Sequence, residues 1–464
     1  MEEQENIEKC LLYKNSEERD LIKQFFTNPP SVDRSKKTII FSTPSETGTS
    51  YFRLFEPMRV MWKHFRDEAN FIYTENIQPN HLKLGDLIIM HRAGNLHSHF
   101  LSVAELWPKS ETKPFIIHDV DDNEFNLPKT HPMRELWYAS EKDKMSIQAL
   151  KQSEFVCTTT EKLRKTFSNF NKDVYIHRNM FDWELPQWNH DQKEIRKEML
   201  PKLSKATKSK EEPIIIGWAG LTSHFEDIKR MHTIFKAIHD KYPNTFFVLA
   251  GMALKDSAFE IEYDDNGKPK FKSKDIEDDN QKYRNRVINL YSDLDPERLE
   301  VFDALPLEEY GKFYSLFDIS YAYIEMHNSF NSCKSEIKVV EALRYGCIPQ
   351  FTNYGGYNDF WKSVPKDIKM ENCAVNVSNS GKWVESASYW IDKIEENRKK
   401  NKLTPLESKM EFTKELKKWS DNTYNWNLNV EDRLAFYLEK TEEFQESEMN
   451  RLAASFENFD GIKM

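Results

Sequence analysis

The sequence predicts an α/β protein made of two halves, each built on a parallel sheet. Three observations predict it. Short apolar runs recur along the chain, each ending in polar or turn-forming residues, and amphipathic helical stretches separate them; strands that alternate with helices form parallel sheets. The pattern stops near residue 180, crosses a stretch rich in lysine, proline and tryptophan, and restarts at Pro213. And 464 residues exceed one ordinary core.

The elements follow in order. Residues 1–37 read as a charged, helical extension interrupted by Pro29-Pro30. TIIFSTP (38–44) is a buried strand running into a turn. SETGTSYFRLFEPMRVMWKHF then puts Gly48 in a loop and Phe52, Phe55, Met58 and Met61 at helical spacing. DLIIMHR (86–92), a helix near 96–107, PFIIHDVDD (114–122), EFVCTTT (154–160), a helix from Glu161 and DVYIHRN (173–179) complete a first half spanning 38–180. Residues 181–212 read as a basic connection. In the second half, 213–395, the strands are PIIIGWAG, NTFFVLAG, LEVFDAL, DISYAYI and CIPQFT. FEIEYDDNGKPKFKSKD carries an Asp-Asn-Gly turn between alternating residues and predicts a hairpin inserted at about 255–290. Residues 396–464 read as a helical tail.

The chain is 39% hydrophobic and 13% aromatic, enough to bury cores. Its net charge of −10 argues against a uniformly basic protein. Residues 162–210 nevertheless hold twelve Lys or Arg against six Asp or Glu. Such segregation fits a flexible basic linker or a surface for an anionic partner. The five cysteines, Cys10, Cys157, Cys333, Cys347 and Cys373, are odd in number and form no CxxC. A reducing cytoplasm is the expected location, since the acidic start MEEQENIEKC is unlike a secretory peptide. No apolar run approaches the roughly 20 residues of a transmembrane helix. HExxH, zinc-type Cys/His spacing, GxSxG, a Walker loop and GxGxxG are all absent.

The most informative stretch is NSCKSEIKVVEALRYGCIP, residues 331–349. A helix from Ser335 to Gly346 would bury Ile337, Val340 and Leu343 and stop at Gly346, with Pro349 beyond. Lys334, Lys338 and Glu341 would form a second stripe. Free N–H groups at the helix start, the Ser335 hydroxyl and the lysines suit a phosphate; Glu341 suits paired sugar hydroxyls. An ordinary Lys–Glu surface pair is the plainer alternative. Elsewhere, HDVDD offers His118, Asp119 and Asp121 as groups to align or deprotonate a hydroxyl, with Asp122 beside them; caps of the next turn are the alternative. His224 follows the glycines Gly217 and Gly220. Arg53 and Arg92 are further anion-binding candidates. Trp183, Trp188 and Arg178 suit sugar stacking or nucleic-acid contact, and domain packing equally well.

KSEIKVVEALRYGCIPQF resembles the nucleotide-binding segment of glycosyltransferases of the GT-B fold, in particular a KS-x-x-K-x-x-E branch near the retaining glycosyltransferase family 4. GWAGLTSHFEDIKRM resembles that branch's first C-domain strand-loop-helix, HDVDDNEFNLP its DDD segment, TGTSYFRLFEPMRVM its N-terminal G-x-x-x-x-R loop, and HRNMFD its inter-domain segment. Cys333 stands where many family 4 enzymes have a first glutamate. The resemblance implies two facing Rossmann-like domains with a cleft between them. It implies a nucleotide-sugar donor (UDP- or GDP-sugar) held by Gly217, Gly220, His224, Lys334, Ser335, Lys338 and Glu341, with the acceptor near Gly48, Arg53, Asp122 and the catalytic candidates Asp121, Asp119 and His118. It also implies retention of configuration, no metal and no further cofactor. The expected acceptor is a surface glycan or a hydroxymethylated base in DNA, the latter suiting a bacteriophage. A non-catalytic sugar-nucleotide binder and a GT-B epimerase are the rival readings.

Overall fold

Runs such as Ile39-Ile40-Phe41 and Ile214-Ile215-Ile216 have no polar face, so they must lie in sheets covered on both sides, and all six residues are buried to within 1%. The structure, a computed structural model, describes residues 8, 11–28, 32–44, 48–92, 95–108, 111–129, 131, 134–203, 212–221, 224–252, 259–263, 269–273, 276–326, 329–375 and 379–460. They fall into two units, one of residues 1–125, 141–183 and 424–464, the other of 126–140 and 184–423.

In the first unit β1 (Lys37–Ser42), β2 (Ala69–Thr74), β3 (Leu87–His91), β4 (Phe115–Asp119), β5 (Phe155–Thr158) and β6 (Val174–Ile176) form one sheet in the order β2-β1-β3-β4-β5-β6. Every pairing is parallel. In the second unit β7 (Ile214–Ala219) and β8 (Thr245–Ala250) precede an antiparallel pair, β9 (Phe259–Tyr263) and β10 (Pro269–Ser273). β11 (Leu299–Phe302), β12 (Ile319–Ala322), β13 (Ile348–Thr352) and β14 (Ala374–Val375) then complete a second parallel sheet, ordered β11-β8-β7-β12-β13-β14. The Asp-Asn-Gly turn expected between β9 and β10 lies outside the described residues.

The segments expected as linker and tail are distributed differently. Residues 184–203 and 212 belong to the second unit, where Trp188 is 2% exposed, Tyr345 Oη donates to the Gln187 carbonyl at 2.6 Å, and Arg344 donates to the Trp188 carbonyl at 3.1 Å. Arg196, counted above among the basic linker residues, is an internal residue paired with Asp318 at 2.5 Å, whose other oxygen accepts from the Ile215 amide. Trp183 stacks on Phe181 at 4.5 Å and is buried, so it serves packing. The tail divides. Helices Ser380–Asn401 and Pro405–Thr423 stay with the second unit, while helix Trp426–Asp460 joins the first. Trp426, Val430, Leu434 and Tyr437 give that last helix one apolar face, and Phe436 packs on Tyr175 at 5.3 Å.

The helix expected from Ser335 starts two residues later. It runs Ile337–Arg344 with Glu336 as N-cap, after a turn of 3-10 helix at Asn331–Cys333. Gly346 takes φ +64 just beyond it. Ile337 is half-buried, while Val340 and Leu343 are core.

Gly217 needs a correction. It is expected in a glycine loop facing a ligand, yet it lies inside β7, paired with Val248 and Ser320, and a Cβ there would overlap the Phe317 ring. Its missing side chain serves packing. Gly217→Ala is expected to destabilise the protein by about 1–3 kcal/mol, the usual penalty of overpacking. Phe317→Leu in the same chain should recover part of the loss in thermal melts.

The first unit also buries a carboxyl group with an unusual protonation state. Arg59 and Asp182 pair at 2.6 Å with both side chains fully buried, and the Asp182 amide donates to Glu56 Oε1 at 2.5 Å. Burial, only partly offset by Arg59 and that amide, pushes the Glu56 carboxyl up to about 8. The folded chain therefore holds a proton that the unfolded chain releases above its ordinary value. Stability from neutral Glu56 is complete below about 4.5 and is lost as pH rises towards 8. Glu56→Gln removes that loss. The melting-temperature difference between variant and wild type should grow in favour of the variant from pH 5 to pH 8; a constant difference would contradict a buried neutral Glu56.

Candidate functional site

In the second sheet the chain leaves β7 for β8 and β11, then returns to the other side of β7 as β12. Loops leaving β7 and β12 at their carboxyl ends therefore diverge, and such switch points are where open parallel sheets bind ligands. The sequence-predicted residues converge here. β7 ends in Trp218-Ala219 followed by Gly220, and the Lys338 ammonium lies 4.4 Å over the Trp218 ring, with no hydrogen-bond partner on its Nζ. A Cβ on Gly220 would overlap that Nζ and approach the Trp218 ring at 2.7 Å, so glycine leaves room for the lysine head. His224 stands edge-on to the same indole at 6.0 Å, and its Nδ1 lies 2.6 Å from Asp227 Oδ2. Asp227 Oδ1 accepts from the Glu325 amide at 2.9 Å and Asn331 Nδ2 at 3.3 Å, which joins the loop after β12 to the helix after β7. Lys334 lies 4.3 Å over the Phe330 ring. His131, from the segment 126–140, meets the same ring edge-on at 5.4 Å.

Burial dominates the electrostatics of this group. It lowers Lys338 to about 8, with Lys334 adding to the effect while Asp227 and Glu341 oppose it. It raises Asp227 to about 7 against the pull of the Glu325 amide, Lys338, Lys334 and Asn331. It raises Glu341 to about 8 against Tyr314 and Lys338. Glu341 is 2% exposed and favours the neutral acid at pH 7, so it offers a donor as well as an acceptor, unlike the acceptor-only carboxylate expected above. A desolvated ammonium without a hydrogen-bond partner gains strongly when an anion arrives.

Ser335, half-buried, precedes the helix rather than sitting in its first turn. Sequence reasoning missed several participants. Trp218 reads as one more apolar strand residue. Gly355, with φ +57, opens helix Gly355–Ser363, whose N-cap Tyr354 supplies no side-chain bond. A Cβ on Gly355 would overlap the Ser332 carbonyl, so the start of this helix packs onto the turn that carries Lys334. Its only signal is the Gly-Gly pair after a strand.

In the first unit the order reverses between β1 and β3. Gly48 lies in a short helical turn before a π-helix, Tyr51–Phe55. Arg53, in that π-helix, grips Asp119 with two bonds of 2.8 and 2.6 Å and donates to the His177 carbonyl and Asn179. Both partners are 2% exposed, so Asp119 is an internal anchor rather than a group facing an acceptor. His118 is fully buried in β4 and held neutral, pushed down to about 3, and has no open path to an acceptor hydroxyl. Asp121 and Asp122 converge on Arg92 Nη2 at 3.1 and 2.9 Å, and Glu124 lies 3.4 Å from its Nε. Arg92 itself takes φ +58, a strained conformation for a residue with a side chain. Burial would raise Asp121, but Arg92, His91 and Arg53 hold it well below the usual carboxylate range. His97 Nδ1 meets the Arg92 carbonyl at 2.7 Å, and its Nε2 meets Ser42 Oγ at 3.0 Å. Only the Nδ1–H form can donate to that carbonyl, so Nε2 accepts from Ser42. Among the described residues no group of three or more His, Cys, Asp or Glu could hold a metal ion, and no helix is long and apolar enough to cross a membrane.

No protein-family model matches the sequence, and no curated protein matches it. Solved structures do. Sucrose-phosphate synthase from Thermosynechococcus elongatus is similar with TM-score 0.53 at 10% identity, covering 88% of this chain and 100% of that one. A glycosyltransferase from Rickettsia africae is similar with TM-score 0.53 at 12% identity, covering 87% and 98%. The N-terminal domain of Candida albicans trehalose-6-phosphate phosphatase gives 0.52 at 10% identity, covering 89% and 100%. At these identities the likeness is one of fold: two six-stranded parallel sheets, as in the GT-B fold.

Proposed function

We propose that this chain is a nucleotide-sugar-dependent glycosyltransferase whose second unit holds the donor. The observation that carries the reading is the buried Lys338 ammonium, stacked on Trp218 and without a hydrogen-bond partner, at the switch point of a parallel sheet. A donor diphosphate would complete it. Lys334 and the start of helix Gly355–Ser363 would share the charge, and Glu341 would donate to one ribose hydroxyl and accept from the other. As the sugar departs, negative charge grows on the diphosphate, and Lys338 is placed to stabilise that charge more than it stabilises the ground state. Retention of configuration and a UDP- or GDP-linked donor follow from sequence resemblance.

For the acceptor, the first unit offers Asp121 and Asp122 at the carboxyl end of β4, with Asp121 ionised and so a fitting partner for a hydroxyl. A carbohydrate hydroxyl is the favoured acceptor. The basic stretch that suggested DNA is partly engaged within the protein: Arg164 pairs with Glu161, Arg196 pairs internally with Asp318, and Arg178 donates to Tyr424 Oη.

A thermal-shift panel of UDP-, GDP- and ADP-sugars tests the donor reading. A donor at a hundred times its Kd should stabilise the wild type by about 2.7 kcal/mol. Lys338→Ala should remove that shift while leaving the unliganded protein folded, because it deletes a desolvated charge. Slow release of nucleoside diphosphate from the bound donor by the wild type would distinguish a transferase from a mere binder. Absence of any shift across the panel would overturn the reading.

A further inference from the structure

In the first unit, Asp121 is tethered by one of its two oxygens. Oδ1 lies 3.1 Å from Arg92 Nη2, 3.4 Å from Arg92 Nε and 3.3 Å from His91 Nε2. Oδ2 meets no hydrogen-bond donor among the described residues. Asp121 is 9% exposed, whereas His91 behind it is fully buried. An ionised carboxylate only accepts, so the His91 nitrogen that faces it carries a hydrogen. The other ring nitrogen, Nδ1, is buried without a hydrogen-bond partner. Such an orphan costs stability, so His91 does more here than fill the core.

Arg92 is held just as deliberately. Its φ of +58 is fixed at both ends, since its amide donates to the Asp119 carbonyl at 3.0 Å and its carbonyl accepts from His97. The guanidinium also meets Asp122 Oδ2 at 2.9 Å and Glu124 Oε1 at 3.4 Å, and Glu124 Oε2 accepts from Ser146 at 2.8 Å. The strained backbone at the end of β3 thus aims one arginine at the carboxylates that follow β4.

Resting on the acceptor reading of the first unit, we propose that His91 and Arg92 are positioning residues that hold Asp121 by Oδ1 and reserve Oδ2 for an acceptor hydroxyl. The ligand class is an alcohol, as on a carbohydrate, whose O–H donates to Oδ2. Asp121 aligns that hydroxyl and does not store its proton, because Arg92, His91 and Arg53 keep the carboxyl ionised.

Water is the smallest acceptor of this class, so hydrolysis of UDP-glucose or GDP-mannose by the full chain is the test. A water oxygen replaces the diphosphate oxygen on the anomeric carbon, giving free sugar, nucleoside diphosphate and one proton. In Asp121→Asn the N–H groups at Oδ1 require the amide oxygen there, which puts the NH₂ in the place of Oδ2. The kcat should fall about a hundredfold with the donor KM unchanged. His91→Leu fills the space without an N–H and should lower kcat about tenfold. His91→Gln returns an N–H near the Nε2 position and should recover most of that loss. Equal losses in the two His91 variants, or hydrolysis that ignores Asp121→Asn, overturn this inference alone. If the wild type hydrolyses neither sugar nucleotide, the transferase reading and this inference fall together. A long-range ¹H–¹⁵N spectrum of histidine-labelled wild type checks the tether without catalysis or a stable Asp121 variant. His91, assigned by its loss in His91→Gln, should carry a hydrogen on Nε2; a ring protonated at Nδ1 alone overturns the proposal.

Discussion

The second unit is organised around one unfavourable placement, a lysine ammonium withdrawn from water with an indole face in place of a hydrogen-bond acceptor. Burying a charge in this way is tolerated only when neighbours share it or a ligand completes it. Lys338 has both prospects. Asp227 and Glu341 bear on it from the protein side, and each is held away from its own preferred charge by burial. Gly220 is glycine because the lysine head and the Trp218 ring occupy the space of a side chain. Perturbed charges gathered in one place are what the proposed donor site requires, and an arriving anion would relieve the cost of this group.

The frame that permits this placement is built from ion pairs of the opposite kind, in which each buried charge meets an opposite one. Arg196 and Asp318 fix the start of β12 to β7, since Asp318 also accepts from the Ile215 amide. In the first unit Arg53 ties the π-helix to the end of β4 through Asp119, and Arg59 with Asp182 ties the following helix to the segment after β6. Removing one partner of such a pair leaves an uncompensated charge and costs about 3–5 kcal/mol. These pairs set positions, whereas the Lys338 Nζ is buried without a hydrogen-bond partner.

The sheets were legible in the sequence because fully buried parallel strands are near-continuous apolar runs, as in PIIIGWAG and NTFFVLAG. The stripe Lys334, Lys338 and Glu341 was legible because helical spacing groups residues three and four apart. The helix start was misplaced by two residues, since Ser335 is a good cap by type and Glu336 takes that position by geometry. Asp119 and His118 looked reactive because sequence shows residue type and not burial; the structure uses one as an anchor and encloses the other. The last helix reads as a tail, but its apolar face of Trp426, Val430, Leu434 and Tyr437 belongs to the first unit, a long-range pairing that local pattern does not encode. Trp218 was hidden for the same reason, as one apolar strand residue among several.

The account depends most on the state of Lys338, and that state can be measured directly. Labelling lysine at ¹³Cε and following the Lys338 resonance, assigned with Lys338→Arg, gives its titration with and without a bound sugar nucleotide. The account predicts a midpoint near 8 in the free protein. It predicts a rise of about one unit or more once a diphosphate sits against the ammonium, since an opposing charge within a few ångströms moves a pKa by that order. A lysine that titrates in the ordinary range, or one that ignores every sugar nucleotide, would show Lys338 to be solvated surface charge and would contradict the donor site.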